Sequence, residues 1–410
     1  TLDGDQRSLP AGSHALPGAW AAPLLAALGA VKPSAGSAPV APVAASQPIA
    51  SAWREEPLWT LALPDGERPY AVHLARDGAG LFIGTVEGSL HCVRDGRLAW
   101  SFRAAGRVNS IAVDDVNGDG RPEVIAGSAD YHVYLLDVEG REIWRHAVPH
   151  YMHDETVEAV LAADFGGRKA VIAGSNNCHV HALDPADGHE WWRYEVIHGV
   201  NDLTTADVNG DGVDEVLAVT EWVTWHAIDS AGRGLWKYWV VRPHYSPGAN
   251  VVRAGDVNGD GAPEMVVGSV DTCVYVFNGA GERVWEFFTG EEIAALQLVD
   301  LDGDGRLDIV AGSMNGYLYA LDGQGELLWQ ANLGEEVNSV TVLGAGAAAR
   351  LVAGTDGPRA FVLDPQGAVL SVLDAGMPVR KVVAQDRGAE MTVIAVGREG
   401  LVAAYQRPLC

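Results

Sequence analysis

The chain has 410 residues, enough for two or three ordinary domains or for one large repeat architecture. A hydrophobic content of 48% with 49 glycines describes a globular, turn-rich protein, and a formal charge of -26 argues against a nucleic-acid partner. The four cysteines (Cys92, Cys178, Cys273, Cys410) lie far apart and outline no metal knuckle or disulfide framework, and no apolar run of about 20 residues exists to insert in a membrane.

Residues 1–52 differ in composition from the rest. Thr1 to His14 reads like the last strands of a small β-domain, Ala19 to Val31 is a short Ala/Leu-rich stretch, and Ser34 to Ser51 is an Ala/Pro/Ser linker. The segment is expected to be the remnant of, or the linker from, a preceding domain in a longer chain.

From residue 53 to 410 an internal repeat takes over. Trp59, Trp100, Trp144, Trp192, Trp236, Trp285 and Trp329 recur at intervals of 41, 44, 48, 44, 49 and 44 residues. One full copy, Val108–Asp114, Pro122–Gly127, His132–Asp137 and Arg141–Val148, is four short strands separated by turn residues. At this period four strands make a propeller blade. The turn between second and third strands occurs eight times, at Gly84, Gly127, Gly174, Val219, Gly268, Gly312, Gly354 and Gly397. The last unit stops after its third strand, while a lone Trp strand, 57–63, precedes the first. The expected fold is therefore an all-β, eight-bladed β-propeller, with seven blades as the alternative. The N-terminal strand completes the last blade and leaves no open edge.

Four turns between first and second strands share one pattern. Asp115, Asn117, Asp119 and Glu123 recur as Asp207, Asn209, Asp211 and Glu215, as Asp256, Asn258, Asp260 and Glu264, and as Asp300, Asp302, Asp304 and Asp308. Oxygen side chains at positions 1, 3, 5 and 9, with glycine at 4 and 6, point into one small ring. The carbonyl at position 7 (Arg121, Val213, Ala262, Arg306) adds a ligand. Hard oxygen donors at this spacing suit Ca2+. About four structural Ca2+ sites are expected, and with them an extracellular or periplasmic location.

The Ca2+ loops occupy one face of the disc, so chemistry is sought at the channel mouth on the other. Three links between blades are long and rich in functional side chains. They carry His150, Tyr151 and His153, then His198, Asn201 and Asp202, then Arg242, His244 and Tyr245. The neighbouring turns add Asp130, Asn176, Asn177, Glu221 and Trp222. His150, Tyr151, His153, His198, Arg242, His244 and Tyr245 are the catalytic candidates, and the others are substrate-binding candidates. Histidines, tyrosines and an arginine in one pocket serve general acid–base chemistry. Three imidazoles with a carboxylate could instead hold a transition metal. His91, His181 and His226 stand at the third-strand position of Tyr134, Tyr275 and Tyr319 and are expected to be packed inside blades. The periodic tryptophans are expected to pack as well.

The Asp-x-Asn-x-Asp-Gly-x-x-Glu loops resemble the calcium-binding FG-GAP/VCBS repeats of integrin-type propellers. The third and fourth strands, such as those from Val180 to Trp192, resemble the repeat of pyrroloquinoline-quinone propellers. Together these resemblances cover about residues 57–406. The chain is shorter than quinoprotein dehydrogenases and has no adjacent-cysteine pair, so the quinone is not expected. The architecture is similar to that of propeller polysaccharide lyases such as the rhamnogalacturonan lyases. That resemblance implies a secreted enzyme cleaving a uronate-containing glycan by β-elimination, although the acidic net charge disfavours a polyanionic substrate. The alternative is a non-catalytic propeller that binds a protein or glycan partner as an accessory or scaffold module.

Overall fold

The structure is a computed structural model that describes residues 52–53, 56–75, 78–149, 156–222, 224–240, 248–388 and 390–408. The chain divides into the compact units Thr1–Gln47 and Pro48–Cys410. Of the segment 1–52, only Ala52 is among the described residues.

The second unit is an eight-bladed β-propeller. Each blade is an antiparallel sheet whose four strands run outward in order. The first strands are Pro69–Leu74, Val108–Asp114, Val157–Asp164, Val200–Ala206, Ala249–Gly255, Ile293–Val299, Val337–Leu343 and Val379–Asp386, in blades 1 to 8. Each of these packs against the first strands of its two neighbours, and blade 8 meets blade 1 to close the ring. Closure follows the expected route. Trp59–Ala62 pairs antiparallel with Leu401–Pro408 and becomes the outermost strand of blade 8. Ala52–Trp53 adds a short parallel strand outside blade 7, which the sequence did not reveal.

The core is divided among eight interfaces. Each buried apolar cluster draws on two adjacent blades, as with Leu318, Val337, Leu351 and Phe361 between blades 6 and 7. This explains why second strands such as Glu123–Ser128 and Glu264–Ser269 are buried at every position, whereas the outer strand Arg283–Phe288 alternates. Inner strands are covered on both faces and outer strands on one.

The tryptophan period now has a physical cause. Each indole lies on the glycine in the outer hairpin turn of the next blade. A Cβ added at Gly96, Gly140, Gly188, Gly232, Gly281, Gly325 or Gly367 would fall 2.5–2.8 Å from ring atoms of the Trp before it. The indole N–H of Trp100, Trp144, Trp192, Trp236, Trp285 and Trp329 also donates to a carbonyl of that turn at 2.8–2.9 Å. Gly281 adopts φ +76, so Gly281→Ala meets both backbone strain and the Trp236 ring. The expected loss is about 2–4 kcal/mol, read as a lower urea midpoint with an unchanged slope.

His91, His181 and His226 are buried as expected. Their partners are found four residues upstream or in adjacent segments: Glu67 for His91 at 2.6 Å, and Asn177 beside His181. The same geometry joins Tyr134 to Asp130 and Tyr275 to Asp271. At His226 the upstream position is Trp222, which offers no acceptor, and Nε2 is buried without a partner. Burial, assisted by Lys237, pushes the His226 pKa down to about 3. The unfolded chain binds a proton near pH 6.5 that the folded chain refuses. The neutral ring's contribution is therefore intact above 6.5 and is lost as pH falls toward 3. His226→Phe is expected to retain about 2 kcal/mol more stability than wild type on going from about pH 7.5 to about pH 5, measured by thermal melts.

Candidate functional site

The four acidic loops sit where expected, between first and second strands, and their backbones are wound by their own side chains. In blade 2, Asp115 accepts from the N–H groups of Gly118 and Gly120 at 2.7 and 2.9 Å, and Asn117 accepts from Asp119 at 2.8 Å. The loops at Asp207, Asp256 and Asp300 repeat these contacts. Position 9 opens the second strand and is buried in all four: Glu123, Glu215, Glu264 and Asp308. Burial first, then the other carboxylates of the same loop, raise its pKa, to about 7 in Glu215 and about 6 in Asp308. Asp300, Asp302 and Asp304 bring carboxylate oxygens within 4.8 Å of one another. A buried acid turned toward further acids suits a divalent cation of oxygen preference.

The opposite face carries the blade-to-blade links and the turns between second and third strands. Of the catalytic candidates, His150, Tyr151, His153, Arg242, His244 and Tyr245 lie outside the described residues. His198 is described and faces Trp222, with ring centroids 6.1 Å apart. Trp222 is 46% exposed, and Glu221 beside it is exposed. The remaining candidates are engaged in holding the fold. Asp130 accepts from Tyr134 Oη and from Ala105 N, both at 2.7 Å. Asn176 donates to Thr156 Oγ1, and Asn177 donates to the Pro149 carbonyl. Asn201 donates to the Ala249 carbonyl, and Asp202 accepts from Val252 N and pairs with Arg253.

That last pair of contacts belongs to a repeated device. In every blade the pairing of first and second strands slips by one residue at the strand's second position. A bulge re-aims a side chain, and here it does so at the channel mouth. In four blades that residue is asparagine, and its amide donates to the first carbonyl of the next blade: Asn109 to Val157, Asn201 to Ala249, Asn250 to Ile293 and Asn338 to Val379. The other four blades carry Tyr70, Glu158, Ala294 and Arg380.

Three of those departures, Tyr70, Ala294 and Arg380, line one cavity of about 450 Å³. Lys381, Arg398, Asp356, Asn338, Val337, Glu336 and Met314 complete it, so blades 6, 7, 8 and 1 build the cavity. The guanidinium carbons of Arg107 and Arg380 lie 4.2 and 4.8 Å from the centroid of the Tyr70 ring. Arg398 is paired with Asp356. Among the described residues, Arg380 and Lys381 form no ion pair. Lys381 is solvent-accessible, yet protein surrounds its ammonium. That surrounding protein first, then Arg253 and Arg380, push its pKa down, while Asp202 pulls it up. The cavity lies on the face of the blade-to-blade links, and none of the described candidates from the sequence lines it.

Comparison with protein families decides the relationship. Residues 51–257, just over half of the chain, match the model described as outer membrane protein assembly factor BamB. The chain belongs to the BamB family. Residues 256–311 of this BamB-family propeller match an FG-GAP-like repeat, and residues 295–387 match a lambda-carrageenase β-propeller domain. The last match contains Met314, Glu336, Asn338, Asp356, Arg380 and Lys381 of the cavity. Similar solved structures include BamB from Moraxella catarrhalis, 17% identical, covering 86% of this chain and 99% of that one, with TM-score 0.63. Sqt1 from Saccharomyces cerevisiae is 12% identical over the same shares, with TM-score 0.70. The computationally designed Ika8 protein is 16% identical over the same shares, with TM-score 0.64. A comparison with curated protein sequences returned no match. No helix among the described residues is long and apolar enough to cross a membrane.

Proposed function

We propose that this protein takes an anionic polysaccharide at the Tyr70–Asn338–Arg380–Lys381–Arg398 mouth and cleaves it at a uronate by β-elimination. The carrying observation is that Arg380 stands where four other blades carry a neutral clamp, and with its neighbour Lys381 it puts two cations in a cavity on an otherwise acidic protein. The match to a carrageenase propeller domain over the same blades supports a carbohydrate ligand. Arg380 is suited to pair with the C6 carboxylate. Lys381, with its pKa lowered, is suited to take the C5 proton as the C4–O bond breaks and the C4–C5 double bond forms. Tyr70 is the phenol on the same rim that can return a proton to the leaving oxygen. The rival catalytic set is His198 with the link residues His150, Tyr151, His153, Arg242, His244 and Tyr245.

The four acidic loops bind structural Ca2+ in this reading and stiffen the turns opposite the site. Their filling suits the calcium levels of an extracellular or periplasmic space. The family match favours a second reading, a non-catalytic scaffold that binds a protein partner at the same mouth.

The test is ultraviolet absorbance of the unsaturated product on a panel of uronate polysaccharides with Ca2+ present. Wild type is run beside Lys381→Ala and His198→Ala. A rise abolished by Lys381→Ala and kept by His198→Ala is expected. No rise on any uronate, with affinity for a protein ligand, would replace the enzyme by the scaffold.

A further inference from the structure

Most blade interfaces repeat one aromatic contact. The residue two places after each periodic Trp packs on the third strand of the next blade. Phe102 meets Tyr134 with centroids 5.1 Å apart, Tyr194 meets His226 at 5.6 Å, and Phe287 meets Tyr319 at 5.9 Å. Between blades 2 and 3 the two positions are His146 and His181, with centroids 6.4 Å apart, and a carboxylate stands beside both. Glu190 Oε2 lies 2.7 Å from His181 Nδ1.

His146 Nε2 is buried and has no hydrogen-bond partner. An imidazole nitrogen buried with no hydrogen-bond partner is open to a metal ion. His181 is fully buried, and one ligating atom from each of His146, His181 and Glu190 lies within 4.8 Å of the others. Tetrahedral zinc, with bonds of about 2.0–2.2 Å, places its ligand atoms roughly 3.3 Å apart. Side-chain adjustments of about an ångström therefore bring the three donors to that spacing.

We propose that His146, His181 and Glu190 form a transition-metal site of the Zn2+ class that clips blade 2 to blade 3. Two imidazoles and one carboxylate are a borderline donor set, unlike the all-oxygen loops, so the site selects Zn2+ over Ca2+. One ligand comes from the outer strand of blade 2 and two come from blade 3. The ion joins two sheets that elsewhere rely on ring packing. None of the three residues lines the cavity at the channel mouth.

The experiment titrates the chelator-stripped full chain with Co2+ in excess Ca2+, which fills the acidic loops, and follows visible absorption. One equivalent of Co2+ is expected to give ligand-field bands that Zn2+ bleaches, and Zn2+ is expected to raise the Tm. His146→Phe restores the ring found at Phe102 and Phe287, so it should fold while losing both the bands and the Zn2+ shift. Glu190→Gln should weaken Co2+ binding at least tenfold and His198→Ala should leave it unchanged. If His146→Phe does not fold, Glu190→Gln decides. Bands that persist in a folded His146→Phe, bands lost only in His198→Ala, or a folded wild type that binds no Co2+ would each overturn the site.

Discussion

Replacing Arg380 and Lys381 together with alanine should weaken binding of an anionic polysaccharide about a hundredfold, or about 3 kcal/mol, while leaving the melting temperature near that of wild type. Neither side chain has an ion pair among the described residues, so the fold loses no charged partner on their removal. Arg380 is half-buried against Tyr70, and its truncation also frees that ring from one of its two guanidiniums. Lys381 lies within electrostatic range of Arg253. Its removal relieves that like-charge repulsion. Single changes separate the roles. Arg380→Lys keeps the charge and loses the bidentate geometry, so it should raise KM more than it lowers kcat. Lys381→Ala should lower kcat with little change in KM. Both are read by steady-state kinetics on a uronate substrate.

Chelation should lower the melting temperature by several degrees, and Asp256→Ala should remove part of the Ca2+ response without touching the channel mouth. An ion held at a hundred times its Kd contributes about 2.7 kcal/mol per site, and four loops share the pattern. The pH dependence has a definite sign. Ion-free Glu215 and Asp308 keep a proton up to about pH 7 and about pH 6, while the unfolded chain gives it up near pH 4. The folded state binds more protons in that window, so ion-free stability rises as pH falls from 7 toward 4. The stabilisation from Ca2+ should therefore be larger at neutral than at mildly acidic pH, as thermal melts at both will show. Equal shifts, or none with Asp256→Ala indistinguishable from wild type, would remove Ca2+ from the account.

The blade count was legible because the residues that mark it serve packing alone. Each Trp must lie on a glycine of the next blade, so the period survives insertions in the loops. Trp59 revealed the ring closure for the same reason. The cavity was harder to see. Its residues stand at a bulge, where the alternation that sorts inward from outward side chains breaks. Tyr70 and Arg380 become conspicuous only when the eight first strands are aligned and Asn109, Asn201, Asn250 and Asn338 are recognised as clamps. The pair Arg380-Lys381 was the available signal. The long links drew attention by composition, yet residue type cannot distinguish Asn201, which ties two blades, from a ligand-binding asparagine. The same holds for Asp130 and Asn177, the partners of Tyr134 and His181.

The most direct test is calorimetric titration of the Ca2+-loaded protein with a short uronate oligosaccharide and with its carboxyl-reduced neutral counterpart, in wild type, the Arg380→Ala/Lys381→Ala double variant and His198→Ala. The expected result is binding of the anionic ligand alone, lost in the double variant and kept in His198→Ala. Undiminished binding by the double variant, or equal affinity for the neutral sugar, would contradict an anion-reading site at this mouth.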